Sequence, residues 1–250
     1  MTVPGPWRGG AAGVCEKKRD CVVTEGMAKD IEGFAIAAEQ RDWNFGVEAM
    51  RYDFLVGTYE TERLKVLSVW SEFREEDMEV RPRVGDARGR SVREQMVHQC
   101  VSEDLWFRTM LRIDVGAPPL PNSETRGEFI RRYAEDSGKR LAELKAKPDV
   151  WWESETTFFD VKRSMAWVMV RRIAHTSHHR GQQMAMLRML GRDLHSNYGP
   201  TADTGGLMQS HAPTIYAYDG LDPLLADLQS GRGKRALPGG AGKAVTERPD

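Results

Sequence analysis

The most informative segment of the chain is Ile173-Ala174-His175-Thr176-Ser177-His178-His179-Arg180-Gly181-Gln182. It contains half of the chain's six histidines. The flanking segments, 165–170 and 184–190, are apolar and rich in strong helix formers. The sequence therefore predicts one helix over about 160–190 that carries the histidines.

His175 and His179 form a candidate metal-binding pair. On a helix they lie one turn apart and face the same way, and two imidazoles so placed can hold one metal ion at ~2.0–2.1 Å per bond. His178 is turned by about 100° from His179 and cannot easily join them. The same spacing also occurs in polar stripes and in pairs of hydrogen-bonded core histidines, so it leaves both interpretations open.

Composition excludes several classes of protein. The 250 residues are 40% hydrophobic and 29% charged, with a formal net charge of -1 and a pI of about 6.6. This charge balance lacks the excess of basic residues that is typical of nucleic-acid binders. No apolar run approaches the ~20 residues that a membrane span needs. Residues 1–20 have no apolar core typical of a secretory signal.

Cysteine usage favours a reducing compartment. The three cysteines, Cys15, Cys21 and Cys100, are an odd number without metal-ligand spacing. Cys15 and Cys21 could pair, but a cytoplasmic location is the simpler interpretation.

A second helix is predicted over about 91–112 and supplies a candidate third ligand. Ser91-Val92-Arg93-Glu94 is typical of a capping box at a helix start. His98 follows about two turns in, with Val101 and Leu105 as same-face neighbours, so we expect it to point inward. A core histidine bonded to a buried carbonyl is the alternative.

Two further helices complete an all-α, four-helix bundle. The first covers about 47–73, with a broad apolar stripe that includes Phe54. The other follows a second predicted capping box, 125–128, and runs to about Lys145. Residues 151–159 are aromatic and prone to form extended structure, and we expect them to pack on the bundle's flank or on a partner subunit.

Three regions follow from these patterns: an N-terminal arm, 1–44, partly disordered; the bundle, 45–194; and an irregular extension and tail, 195–250. One short helix is predicted at 221–228, with a mobile polar tail from Gly231. Residues 197–218 are too apolar for a free tail, so we expect them to pack along the bundle, near the mouth of the site.

The histidine blocks resemble the DinB/YfiT-like metalloprotein family. The resemblance is carried by Ser91, Val92 and His98, then by His175, 178–182 and the Leu-Arg-x-Leu-Gly run at 187–191, and it covers about 47–191. It implies a bundle with one long crossover, a divalent metal ion (commonly zinc or nickel) on His98, His175 and His179, and frequent homodimers.

Relatives in that family include thiol-dependent transferases that use bacillithiol or mycothiol, and mycothiol-dependent maleylpyruvate isomerase. Three imidazoles leave a metal with an open position that can activate water or a thiolate. Thr176 stands where a His-Glu-x-x-His protease has its general base, which argues against proteolysis. A metal-dependent enzyme acting on a small substrate, with a low-molecular-weight thiol as one candidate, is the leading hypothesis. A catalytically silent, metal-stabilised binding module is the alternative.

Other residues of the central stretch have predicted roles. Gln182, one turn beyond His179, either orients the site or is an ordinary surface glutamine. Arg180 is expected to form a salt bridge, and Gly181 to allow a close helix approach. Met184, Met186 and Met189 are expected to fill the core.

Overall fold

The computed structural model describes residues 51–240, 242, 245 and 246, and these are mostly helical. The predictions made for residues 1–50, including the arm and the Cys15–Cys21 pair, lie outside this range. No helix in the described part is long and apolar enough to cross a membrane. The elements are α1 (Asp53–Glu72), α2 (Val92–Thr109), α3 (Arg126–Lys145), α4 (Asp149–Glu153), β1 (Glu155–Phe158), β2 (Val161–Ser164), α5 (Met165–Met189) and α6 (Leu221–Ala226), with short 3-10 turns at Glu75–Asp77, Ala202–Thr204 and Met208–Ser210.

The four long helices are α1, α2, α3 and α5, and two apolar clusters at opposite ends of them fix their directions. One cluster joins the end of α1 and the end of α5 to the starts of α2 and α3. The other joins the starts of α1 and α5 to the ends of α2 and α3. Helices α1 and α5 therefore run in one direction, and α2 and α3 in the other. The connection 110–125 carries the chain back along the helices, as a single long crossover.

Helix neighbours place α2 beside α5. Helix α1 packs mainly on α3 and α5, and α2 packs on the same two helices. The facing surfaces of α2 and α5 thus form one groove, whereas α1 and α5 form another. This arrangement brings residues distant in the sequence to one side of α5.

The caps explain where α2 and α3 begin. The Ser91 hydroxyl accepts a bond from Glu94 N at 3.2 Å, and the Glu94 carboxylate accepts one from Ser91 N at 2.9 Å, which confirms the first capping box. Thr125 caps α3 through Glu128 N at 3.3 Å, but the reciprocal bond is not formed. The second capping box is therefore half formed, because the Glu128 carboxylate pairs with Arg131 instead.

A hairpin precedes the histidine helix. Strands β1 and β2 pair in antiparallel register, with Phe158 opposite Val161. The prediction that the helix starts near residue 160 is wrong, because 161–164 are used as a strand and Ser164 caps α5 through Trp167 N. The aromatic segment forms α4 and the hairpin on the flank of the long helices, where Trp152 is buried.

The first helix also differs from the prediction at its start. Helix α1 begins at Asp53, with Tyr52 as its N-cap residue. Phe54, assigned to the apolar stripe, is 63% exposed. Leu55 and Val56, its next two residues, are buried in its place, whereas Tyr59, Leu67 and Trp70 of the predicted stripe are buried as expected.

The segment after α5 packs on the long helices, as predicted. Asn197 donates to Lys65 O at 3.2 Å, and the Tyr198 hydroxyl accepts a bond from Arg180. Leu224 and Leu228 enter the first apolar cluster. The Asn197 and Tyr198 contacts lie in the groove between α1 and α5. The expectation that this segment stands near the mouth of the site is therefore wrong for these residues.

Candidate metal centre

Three histidines meet in the groove between α2 and α5. His98 comes from α2, and His175 and His179 come from successive turns of α5. Each can offer one ring nitrogen, and these atoms all lie within 4.8 Å of one another. The Nε2 atoms of His175 and His179 are 3.2 Å apart. The fold thus brings together the three residues that the sequence singles out.

Glutamines set the tautomer of His179. Its Nδ1 lies 3.0 Å from Gln95 Oε1 and 3.1 Å from Gln182 Oε1. Gln95 also donates its amide to Gln182 Oε1 at 3.0 Å, which fixes both amide orientations. With two carbonyl acceptors, Nδ1 carries the proton, so Nε2 presents a lone pair toward the cluster.

The ring of His175 points toward the same position, but hydrogen bonds do not set its tautomer in the same way. Its Nδ1 is buried and has no hydrogen-bond partner among the described residues. If Nδ1 carries the proton, the lone pairs of His175 Nε2 and His179 Nε2 face each other. In that tautomer a cation between the two Nε2 atoms would remove the repulsion, whereas in the other tautomer His175 Nε2 donates its proton to His179 Nε2.

All three imidazoles are held in the neutral form that binds metals. Burial, together with the nearby charge of Arg172, lowers the pKa of His175 to about 3. Burial, followed by the effect of His98, lowers the pKa of His179 to about 4. The pKa of His98 is lowered by burial and by Arg90 and Arg172. At neutral pH the cluster therefore offers lone pairs rather than protons.

Trp106 and Arg172 form the wall of the site beneath His175. The Trp106 ring stacks on His175 with centroids 5.4 Å apart, and the Arg172 guanidinium lies 5.3 Å from the Trp106 centroid. Arg172 is buried and donates to Thr176 Oγ1 at 3.0 Å and to Ser102 Oγ at 3.1 Å. No carboxylate of the described residues pairs with it, so the site carries an uncompensated positive charge.

A match to a protein-family model relates the chain to known proteins. The model of the DinB family matches residues 56–205, which is more than half of the chain. The chain belongs to the DinB family.

One solved structure agrees with this DinB assignment at the level of the fold. A DinB-like protein from Bacillus cereus is 14% identical, with a TM-score of 0.51 over 56% of this chain and 93% of that one. A DinB-like protein from Bacillus subtilis, YjoA, is 17% identical, with a TM-score of 0.46 over 56% of this chain and 93% of that one. No curated protein matches the chain.

In this DinB protein His98 lies against His175 and His179, but the reason given for its inward direction is wrong. Its assumed inward neighbours, Val101 and Leu105, are 39% and 43% exposed. His98 lies at the edge of the buried face of α2, where Gln95 and Ser102 are buried beside the groove. Gln95 lies one turn before His98, at i, i+3 spacing. This spacing could have predicted that Gln95 shares the face of α2 that carries His98.

Some of the roles predicted for neighbours of the histidines are confirmed, and others are wrong. Gln182 does contact His179, so the orienting interpretation holds. Arg180 forms the expected salt bridge, with Glu62. Gly181 is exposed, and a Cβ there would meet nothing within 4 Å, so the predicted close helix approach is wrong. Met186 is buried in the core, but Met189 is 64% exposed.

Proposed function

We propose that this DinB protein is a metal-dependent enzyme in which His98, His175 and His179 bind one divalent ion, zinc or nickel. The observation that carries the proposal is the convergence of three neutral imidazoles within 4.8 Å, with Nδ1 of His179 held by Gln95. Imidazole ligands suit both metals. On this proposal the four long helices form the family's bundle, and the protein works in the cytoplasm as a homodimer.

The chemistry follows from the ligand number. Three protein ligands leave an open position, at which a bound ion acts as a Lewis acid that stabilises a thiolate or a hydroxide at neutral pH. The residues of this chain prepare the groove for such an anion. Arg172 supplies a buried positive charge beside His175, and the exposed Arg90 adds a positive charge near His98 and His179.

The substrate that this environment favours is a small molecule that is anionic at the reacting atom. A low-molecular-weight thiol, used in a transferase or isomerase reaction, meets this description. Thr176 accepts a bond from Arg172 and has no acid–base role, so a protease-like general base is absent from that position.

Cobalt substitution tests the proposal. Cobalt(II) bound by the full chain should show a visible spectrum that shifts when a small thiol is added, and a thiol with an electrophile should then be consumed. A catalytically silent, metal-stabilised binding module is the second candidate. It predicts bound cobalt with neither a spectral shift nor turnover, and that result would overturn the enzyme proposal.

A further inference from the structure

A run of aromatic rings extends from the histidine cluster to the surface. We call Trp106, Phe158, Phe159 and Trp167 the aromatic wall. Trp106 stacks on His175, and the Phe158 ring meets Trp106 edge to face at 5.2 Å. Phe158 in turn contacts Phe159 at 4.8 Å and Trp167 at 5.0 Å between ring centroids. The wall is therefore continuous with the candidate metal centre.

The outer half of the wall is exposed to solvent. Phe159 is 68% exposed and Trp167 is 37% exposed, whereas Trp106 is buried. Leu105, the residue before Trp106 in α2, is also exposed. Clustered exposed apolar side chains next to a polar site are typical of ligand-binding surfaces.

Phe159 occupies a position that disfavours it. It is the first residue of the two-residue turn between β1 and β2, and its φ is 54°. Glycine is the usual residue at a positive φ in such turns, because a Cβ there costs about 1–2 kcal/mol. The Phe159 ring packs on Phe158 and, edge to face, on Trp106, but most of its surface faces solvent, so the ring points to a role in binding.

The positive charges at the inner end of the aromatic wall indicate the charge of the ligand group that binds there. Arg172 is buried under Trp106 without a carboxylate partner among the described residues. Arg90 adds a positive charge near His98 and His179. An anionic group is therefore stabilised at the histidines, and an aromatic group along the rings.

We propose that the aromatic wall binds the aromatic group of a small substrate whose anionic head binds at the three-histidine centre. The inference rests on the proposed function and narrows its substrate class to aryl compounds with a metal-binding anion. The aryl group needs a short spacer from the head, because the buried Trp106 ring stacks on His175 and the exposed rings of Phe159 and Trp167 lie beyond it.

Two hydroxamates test this with the cobalt-loaded full chain. Acetohydroxamate and phenylbutyrohydroxamate share the metal-binding head, and only the second carries an aryl group, on a spacer that passes Trp106. Spectral titration should give about tenfold tighter binding of the phenyl compound, since aromatic contacts and burial supply that much. Equal affinities would overturn the inference and leave the metal centre intact.

Phe159→Gly and Trp167→Ala show whether the wall causes the preference. Glycine suits the positive φ at residue 159, so the melting temperature of Phe159→Gly should be kept. Both variants should lose most of the phenyl preference and keep their affinity for acetohydroxamate. Met189→Ala, at the exposed far end of α5, is the matched control and should keep the preference.

Three other results would each contradict either the inference or the proposed function. A preference unchanged in both variants would remove the wall from the binding site and overturn the inference. A dimer that dissociates in Phe159→Gly or Trp167→Ala would assign the wall to a contact between copies, which also overturns it. A chain that takes up no cobalt contradicts the proposed function, and this result is distinct from bound cobalt without phenyl preference.

Discussion

Gln95 on α2 accepts a hydrogen bond from His179 Nδ1 on α5, with the two atoms 3.0 Å apart. This bond crosses the groove that contains the candidate metal centre. It fixes the ring of His179 and leaves Nε2 free for a metal ion. Gln95 is therefore a positioning residue for a ligand that lies 84 residues away in the sequence.

Replacing Gln95 by leucine should weaken metal binding without unfolding the protein. Loss of such a partner lowers metal affinity about 10- to 100-fold. Competition with a chelator of known affinity measures the change. Gln99→Leu is the matched control, because Gln99 is buried one turn further along α2 and neither amide atom has a partner among the described residues. Equal losses in the two variants would remove the orienting role of Gln95.

The buried pair of Arg180 and Glu62 joins α5 to α1 on the side away from the histidines. Burial raises the pKa of Glu62, but the hydrogen bond and charge of Arg180, with smaller effects of Ser177 and Lys65, together outweigh burial and hold the pKa below its usual value. Arg180→Met leaves a buried carboxylate with Lys65 as its remaining cation, at 3.1 Å. Urea unfolding should show a loss of about 3 kcal/mol.

The control for Arg180 is Lys145→Met, which removes the exposed pair with Glu60. That variant should lose less than about 1 kcal/mol. Similar losses in both variants would mean that burial of the Arg180 pair has no special importance for stability.

His195 ties the C-terminal extension to α1. Its Nδ1 lies 2.8 Å from Glu72 Oε1, and its Nε2 lies 2.8 Å from Arg235 O. Burial lowers the pKa of His195, but the hydrogen bond and charge of Glu72 outweigh it and raise the pKa above its usual value, against an opposing effect of Lys234. A raised folded pKa gives stability that is present in acid and lost as the pH rises above about 6.5.

The difference in unfolding free energy between the wild type and His195→Gln should therefore shrink from pH 6 to pH 9, on the scale of about 1 kcal/mol. The difference is the proper measure, because the histidine cluster also titrates on unfolding and because Asp203 also interacts electrostatically with His195. His211→Asn, at an exposed histidine with a positive φ of 54°, should show no such trend. A constant difference for His195→Gln would contradict the charged contact.

Sequence patterns predicted the long helices well, because apolar periodicity and caps are local. Ser91 and Glu94, three residues apart, fix the start of α2 by themselves. The i, i+4 spacing of His175 and His179 likewise needs only the helix geometry. His98 was reachable as a candidate because it lies in a helix with an apolar face.

What the sequence could not provide depends on contacts between distant segments. Gln95 meets His179, and Trp106 meets His175, only because α2 lies beside α5. The start of α5 was misplaced because residues 161–164 pair with β1, and that pairing competes with helix propensity. Arg235 donates to Ala217 O, so ordered contacts extend beyond the predicted start of the tail at Gly231.

Metal content of the purified chain and its histidine variants tests the central claim most directly. We predict about one divalent ion per wild-type chain, measured by elemental analysis after removal of free metal. His98→Ala, His175→Ala and His179→Ala should each lose most of it, because a site of two imidazoles is incomplete. His178→Ala, whose exposed ring contacts Gln182 instead, should keep it. Full retention of metal in His98→Ala, or equal loss in His178→Ala, would contradict the three-histidine centre.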